Sequence, residues 1–255
     1  MPDLSRRIIQ ENENPAQIAH DTILISHLWD KFKGIVKNKP NSKDRFMIAM
    51  TDDDQARGDF FKIANQLLYD LKNRKPSERP KDILEQATLN FHKNIESLYA
   101  TGKLKPSGAD YWFYFDRKLP LHEKKSTLTE KFDNRLVIIT DGYLEAERKI
   151  YTKLVFDLSA NSQIKSGSNP DFVLKSFNAN IQPCFDTSLK NWKILMLEIN
   201  ERKVGKNTHY PILKEYWADW FDSMKYEELD RDEFFVLRDD ALDIAKSRID
   251  EFIGK

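Results

Sequence analysis

The stretch Arg135-Leu-Val-Ile-Ile-Thr-Asp-Gly-Tyr-Leu-Glu-Ala-Glu147 decides how the rest of the chain is read. Leu136 to Thr140 is an apolar, largely β-branched run that stops on Asp141-Gly142. With no polar alternation, the run predicts a strand covered on both faces, the habit of parallel sheets. Gly142 lets the chain turn away, and Asp141 falls where a parallel sheet presents ligands, outside the carboxyl ends of its strands.

Working outward, the same kind of strand recurs between helical periods. Ile18, Ile25, Leu28, Trp29, Phe32 and Ile35 make a helical stripe within residues 15–36, and RFMIAMT (45–51) then reads as a short, fully buried strand. Phe60, Ala64, Leu67, Leu68 and Leu71 predict a second helix. Ile83, Leu84, Ala87, Phe91, Ile95 and Leu98 predict a third, starting after Pro80 with Asp82 as its cap. DYWFYF (110–115) reads as an aromatic strand, and residues 150–158 as an edge strand or a helix. A short helix over 171–177 precedes the buried strand KILMLEI (193–199). Leu213, Tyr216, Trp217, Trp220, Phe221 and Met224 share one helix face. FFVLR (234–238) is a last short strand, followed by a helix capped by Asp239 or Asp240 with Leu242, Ala245, Ile249 and Phe252 inward.

Apolar strands alternating with helices predict an α/β fold, doubly wound, with a mostly parallel central sheet flanked by helices. The expected organisation is an N-terminal helical extension over 1–42 and one α/β domain over 43–255, with no repeat or long linker between them. Of the residues, 40% are apolar and 30 are aromatic, enough for a sizeable core.

Lys plus Arg and Asp plus Glu number 41 each, so no net field draws the chain towards nucleic acid or an anionic membrane. No nucleic-acid partner is expected, although a local basic patch stays open. The single cysteine, Cys184, excludes an internal disulfide and a cysteine-based zinc site. No apolar run approaches the roughly 20 residues of a membrane span. Residues 1–17 lack an apolar signal core, so a cytoplasmic location is the default expectation, export after removal of a signal peptide being the other.

The residues following the strands carry the functional reading. Asp52, Asp53, Asp54 and Gln55 follow RFMIAMT, and Thr140, Asp141 and Gly142 follow LVII. Carboxylates at adjacent strand ends repel unless a cation or proton intervenes, and a hard ion such as Mg²⁺ or Ca²⁺ suits such oxygen ligands. Asp and Gly are also the ordinary residues of turns and helix caps, which is the plain alternative.

The element order with Val137-Ile-Ile-Thr-Asp-Gly142 resembles a von Willebrand factor A-type domain. In that family an apolar strand ending in Thr-Asp-Gly contributes one carboxylate to a metal-ion-dependent adhesion site. The resemblance implies a protein-binding module holding Mg²⁺ or Ca²⁺ through Asp52, Asp54, Thr140 and Asp141, with Asp53, Gln55, Gly142 and Thr129 meeting a protein partner. The family's Asp-x-Ser-x-Ser element is altered: Asp52 matches, while Asp54 and Ala56 stand where the serines would be. Thr127 and Thr129 lie in the interval of the family's third element.

Enzyme readings rank lower. There is no glycine-rich phosphate loop, no G-x-S-x-G and no histidine pair at zinc spacing. The alternative is a Mg²⁺-dependent phosphoryl-transfer enzyme using the strand-end aspartates, with Glu198 and Lys203 as the residues a nuclease would use.

Overall fold

The computed structural model describes residues 1–9, 17–51, 58–75, 77–106, 109–143, 169–176, 181–184, 186–200, 210–227, 234–238 and 242–254. The chain is a mixed α/β protein. Its helices are α1 (Gln17–Val36), α2 (Gly58–Gln66), α3 (Pro80–Leu104), α4 (Tyr111–Phe113), α5 (Leu119–His122), α6 (Pro170–Ser176), α7 (Tyr210–Ser223) and α8 (Leu242–Gly254). Its strands are β1 (Arg45–Met47), β2 (Leu68–Asp70), β3 (Asn134–Ile139), β4 (Trp192–Ile199) and β5 (Phe235–Leu237). They divide into two compact units: Met1–Gly108 with Ala241–Lys255, and Ala109–Asp240. The expected 1–42 extension is integral to the first unit, because α1 packs against both α3 and α8.

The first unit is helical, with a two-stranded antiparallel ribbon, β1 on β2. Its core centres on Trp29, which is wholly buried, stacks on Phe91 at 4.7 Å and meets the Tyr69 ring at 4.5 Å. The indole N–H donates to Thr88 Oγ1 at 3.1 Å, so the large ring is buried without an orphaned donor. Asp21 is also wholly buried; Arg7, Gln17 and Tyr99 donate to its carboxylate at 2.6, 2.7 and 2.8 Å. Burial pushes the Asp21 carboxyl pKa up, and the Arg7 guanidinium, Tyr99 and Gln17 pull against that shift. Asp250 on α8 takes His27 and Lys31 of α1 at 2.6 and 2.8 Å.

Three expectations in this unit are corrected. RFMIAMT is a strand only over Arg45–Met47, and that strand is half-exposed. Its antiparallel partner begins only at Leu68, opposite Met47, and the chain before that is α2, so Ile48, Ala49 and Met50 are buried without strand pairing. The second helix stops at Gln66 because Leu68 to Asp70 join the ribbon. Arg79, not Asp82, is the N-cap of α3; Asp82 sits in the first turn, 2.8 Å from Arg79 Nε.

The second unit holds a three-stranded parallel sheet in the order β3-β4-β5, flanked by helices. Consecutive parallel strands joined by right-handed crossovers place successive helices on one face, and α6 indeed packs against α7. The order of the described strands does not reverse. β4 is buried along almost its whole length, as its unbroken apolar run predicts.

DYWFYF is helical, contrary to the strand expected of an aromatic run. Asp110 caps it, accepting from Phe113 N at 2.9 Å, and the buried positions Tyr111, Tyr114, Phe115 and Leu119 follow a helical spacing. Tyr111 meets Trp217 at 5.2 Å, and Phe115 meets Trp220 at 4.8 Å, so this helical segment and α7 form one aromatic core. Residues 114–118 form a π turn, with Leu119 N–H donating to Tyr114 O. Pro120 has no N–H to continue that pattern, which would leave the Phe115 carbonyl unpaired. The Thr187 hydroxyl donates to it at 2.8 Å. Cys184 is buried, its thiol against the Trp112 carbonyl at 3.7 Å and its pKa pushed up by burial, the carboxylates of Asp116 and Asp110 adding to the shift. The edge strand or helix expected over 150–158 and the cap at Asp239 or Asp240 lie outside the described residues.

Thr187→Val should cost about 1–3 kcal/mol in urea unfolding, since it strands a buried carbonyl at nearly constant volume. Thr187→Ser should restore most of that. A Val variant as stable as the parent would show that the hydroxyl is not what satisfies the π turn.

Candidate functional site

The site is the carboxyl rim of the parallel sheet in the second unit. β3 continues its ladder one step past Ile139, with Thr140 N donating to Leu197 O at 3.0 Å. The wholly buried Thr140 then turns its hydroxyl back to accept from Gly142 N at 3.2 Å. Asp141 does the same one residue on, its Oδ1 accepting from Tyr143 N at 3.1 Å. Its own carbonyl accepts from Asn200 N at 3.3 Å. Short hydroxyl and carboxylate side chains favour such local turns, which is why the strand ends on these residues.

Gly142 has φ +89°, a conformation that glycine alone adopts without strain. A Cβ there would lie 3.4 Å from Ile199 Cδ1. The Gly142 carbonyl accepts from Trp217 Nε1 at 2.9 Å, tying the end of β3 to α7.

The neighbouring strand ends less regularly. Met196 pairs with Phe235 and Ile199 with Leu237, so β4 advances three residues while β5 advances two. The extra residue is taken up around Glu198, whose φ is +66°. Such a bulge kinks the strand and re-aims a side chain, and a left-handed conformation costs a non-glycine residue roughly 1–2 kcal/mol. Glu198 is 3% exposed, with Arg238 Nε 3.5 Å from its Oε2. Arg238 is itself placed by its backbone N–H, which donates to Ile199 O at 2.8 Å. Three strand ends thus carry Asp141, Glu198 and Arg238, of which Glu198 and Arg238 are in contact.

The chain matches no family model, no curated protein and no solved structure.

Of the residues expected at the site, Thr140, Asp141 and Gly142 stand on this rim. Asp52, Asp53, Asp54 and Gln55 lie outside the described residues. The strand before them, β1, pairs with β2 in the first unit and not with β3, so RFMIAM and LVII are not adjacent strands of one sheet. Thr129 belongs to an exposed turn, its hydroxyl 3.5 Å from Thr127 Oγ1, which in turn accepts from Glu130 N. Lys203, the partner a nuclease reading gave Glu198, also lies outside the described residues.

Among the described residues no group of three His, Cys, Asp or Glu side chains is placed to hold a metal ion. Two carboxylates reach the rim, and one of them already has a guanidinium beside it, so the described donors do not fit a hard cation by themselves. Sequence reasoning missed Arg238, whose one signal was its position directly after the last apolar strand.

Gly142→Ala should destabilise the second unit by about 1–3 kcal/mol, through its positive φ. Arg238→Met should destabilise the second unit by removing a cation 3.5 Å from the buried Glu198, and Glu198→Gln should cost less in that background than in the parent. Denaturant titration of the single and double variants checks both. A full-cost, additive double variant would show that the two side chains are not coupled.

Proposed function

We propose that the second unit is a protein-binding module of von Willebrand factor A-like, doubly wound architecture, and that the carboxyl rim of its sheet receives the partner. The observation that carries this reading is Glu198, a buried acid held in left-handed backbone at a bulge, on the strand next to Asp141. Strained, non-glycine backbone persists where its surroundings over-determine it, and it clusters at working sites. The rim is also where loops grafted on a parallel sheet gather ligand-binding groups. The apolar LVII strand ending in Thr140-Asp141-Gly142, the parallel strand beside it and the aromatic helix after that support the likeness of architecture.

One observation favours a second reading. Two carboxylates, Asp141 and Glu198, stand at the ends of adjacent parallel strands, which is the donor type a Mg²⁺-dependent phosphoryl-transfer enzyme needs.

The two readings separate on one pair of variants. Asp141→Asn keeps an oxygen to accept from Tyr143 N while removing the charge, and Arg238→Gln removes the cation beside Glu198. In the binding reading, a partner cross-linked to the chain and then purified binds each variant at least tenfold more weakly, and Mg²⁺, Ca²⁺ or Mn²⁺ yields no turnover of a generic phosphoester. Binding unchanged within twofold in both variants overturns the module. Metal-dependent turnover abolished by Asp141→Asn gives the rim to the enzyme.

A further inference from the structure

The segment ahead of α1 is seated on the first unit like a strap. Asp3, Leu4, Ser5, Arg7 and Ile8 are all buried. Leu4 and Ile8 lie on Gly102 of α3, where a Cβ would stand 2.9 Å from Ile8 Cδ1 and 3.5 Å from Leu4 Cβ. Glycine is a poor helix residue, and this close approach accounts for its place in α3. Arg7 completes the seat, donating to Asp21 Oδ2 of α1 at 2.6 Å.

The strap holds its own shape. Asp3 Oδ1 accepts from Ser5 N at 2.8 Å, the Asp3 carbonyl accepts from Arg7 Nε at 3.2 Å, and Ile8 N donates to Ser5 O at 3.2 Å. Arg6 to Ile8 close as a 3₁₀ turn. A segment folded on itself in this way loses less freedom when it docks than an open chain does.

The seat beneath it is polar. Gln17 and Tyr99 donate to the same Asp21 carboxylate that receives Arg7, at 2.7 and 2.8 Å. A seat that is never uncovered is served as well by apolar side chains, because burying an ion pair costs the desolvation of both charges. An uncovered Asp21 is different: water hydrates it, with Gln17 and Tyr99, as water cannot hydrate an apolar floor. Leaving the seat thus uncovers Leu4 and Ile8 but returns the charges to solvent.

What the seat accepts is shown by what fills it: a leucine, an arginine three residues on that meets Asp21, and the isoleucine after it. A second copy of the chain carries the same segment. Exchange of identical segments remakes each contact, which makes it a low-cost route to a dimer.

We propose that two copies of this chain pair by exchanging residues 3–8, each strap seated on α1 and α3 of the other copy. This goes beyond the reading of the rim, which concerns the other unit.

The test uses two full-length variants, Leu4→Cys and Gly102→Cys, incubated apart and together in a glutathione redox buffer and then separated without reductant. Leu4 Cβ lies 3.5 Å from where a Cβ at position 102 would stand, within the span of a disulfide, so the strap of one copy seated on the other is trapped. The mixture should give at least fivefold more linked dimer than Leu4→Cys mixed with Leu89→Cys, a position exposed on α3. A chain bearing both Leu4→Cys and Gly102→Cys, oxidised at low concentration, has its own strap locked and should sediment as a monomer, whereas the reduced form dimerises. Linked dimer no more abundant than in the Leu89→Cys control, or an oxidised double variant that still dimerises, overturns the proposal. The parent chain decides the matter should Gly102→Cys not fold. Its dimer fraction in sedimentation equilibrium should rise with concentration and fall at least fivefold in excess synthetic peptide of residues 1–9. A parent that stays monomeric, or a dimer that the peptide leaves intact, overturns the proposal. So does a chain that binds the peptide and never dimerises, which would make the seat one for a foreign segment.

Discussion

The parallel register of β3 on β4 is the constraint on which the rim depends. Asn134 pairs with Trp192 and each following residue with its counterpart, as far as Ile139 with Leu197. That register brings Thr140 N to the Leu197 carbonyl and Asn200 N to the Asp141 carbonyl. A slip of one residue would turn buried side chains to the opposite face, which a strand as buried as β4 cannot accept. The irregularity is displaced instead to the other side of β4, where β5 is matched by a bulge at Glu198. The unusual conformation of Glu198 thus follows from fitting two different registers to one central strand. Trp217 secures the arrangement by donating to the Gly142 carbonyl, so the helix that covers the sheet also holds the turn that ends β3.

How much of this could be read from sequence depends on how far each element is decided locally. The three parallel strands were readable because each is a short apolar run, and in these three the run is paired and covered. The helices α1, α3, α7 and α8 were readable from their period. DYWFYF was misread because aromatic residues favour strands on average, whereas here Asp110 supplies a cap and the partners of Tyr111 and Phe115 are rings on α7. RFMIAMT was misread because apolar content says that a segment is buried, not what it pairs with. Its ladder partner is the three-residue β2, hidden at the end of what reads as a helix. Those two segments were the early strands of the expected sheet, so β3, β4 and β5 are the described strands that follow the expectation. At the rim, Thr140, Asp141 and Gly142 could be named in advance because turn chemistry is local. Glu198 as a bulge and Arg238 as its neighbour could not, because both arise from the mismatch between β4 and β5.

Charge shows the same division between total and place. Equal numbers of acids and bases say that the chain has no long-range field, and nothing about where the charges sit. In residues 37–45 and 70–78 the acids are drawn into turns by backbone N–H and hydroxyl donors, while the lysines extend into solvent. At the rim the reverse holds: Glu198 is taken out of water, and Arg238 is held beside it. The first leaves its cations in water, where salt screens them. The second gives a short-range, geometrically fixed pair in low dielectric. One neutral composition contains both.

The order of the chain adds a folding constraint. The second unit is inserted between α3 and α8, and α8 belongs to the first unit, with Ala245 and Ile249 buried and Asp250 bound to His27 and Lys31 of α1. The first unit cannot be completed until the chain has passed through the whole of the second, which makes its closing contact the most distant in sequence. The second unit has no such debt to later sequence. Its β3, β4 and β5 are laid down in the order in which they neighbour one another, so each strand meets its partner as it arrives. Burying β3 and β4 early withdraws two long apolar runs from aggregation while the first unit still lacks α8. On this ordering the rim, with its costly Glu198, is assembled on a sheet whose β3–β4 register is already set, which is the condition under which a strained residue can be held.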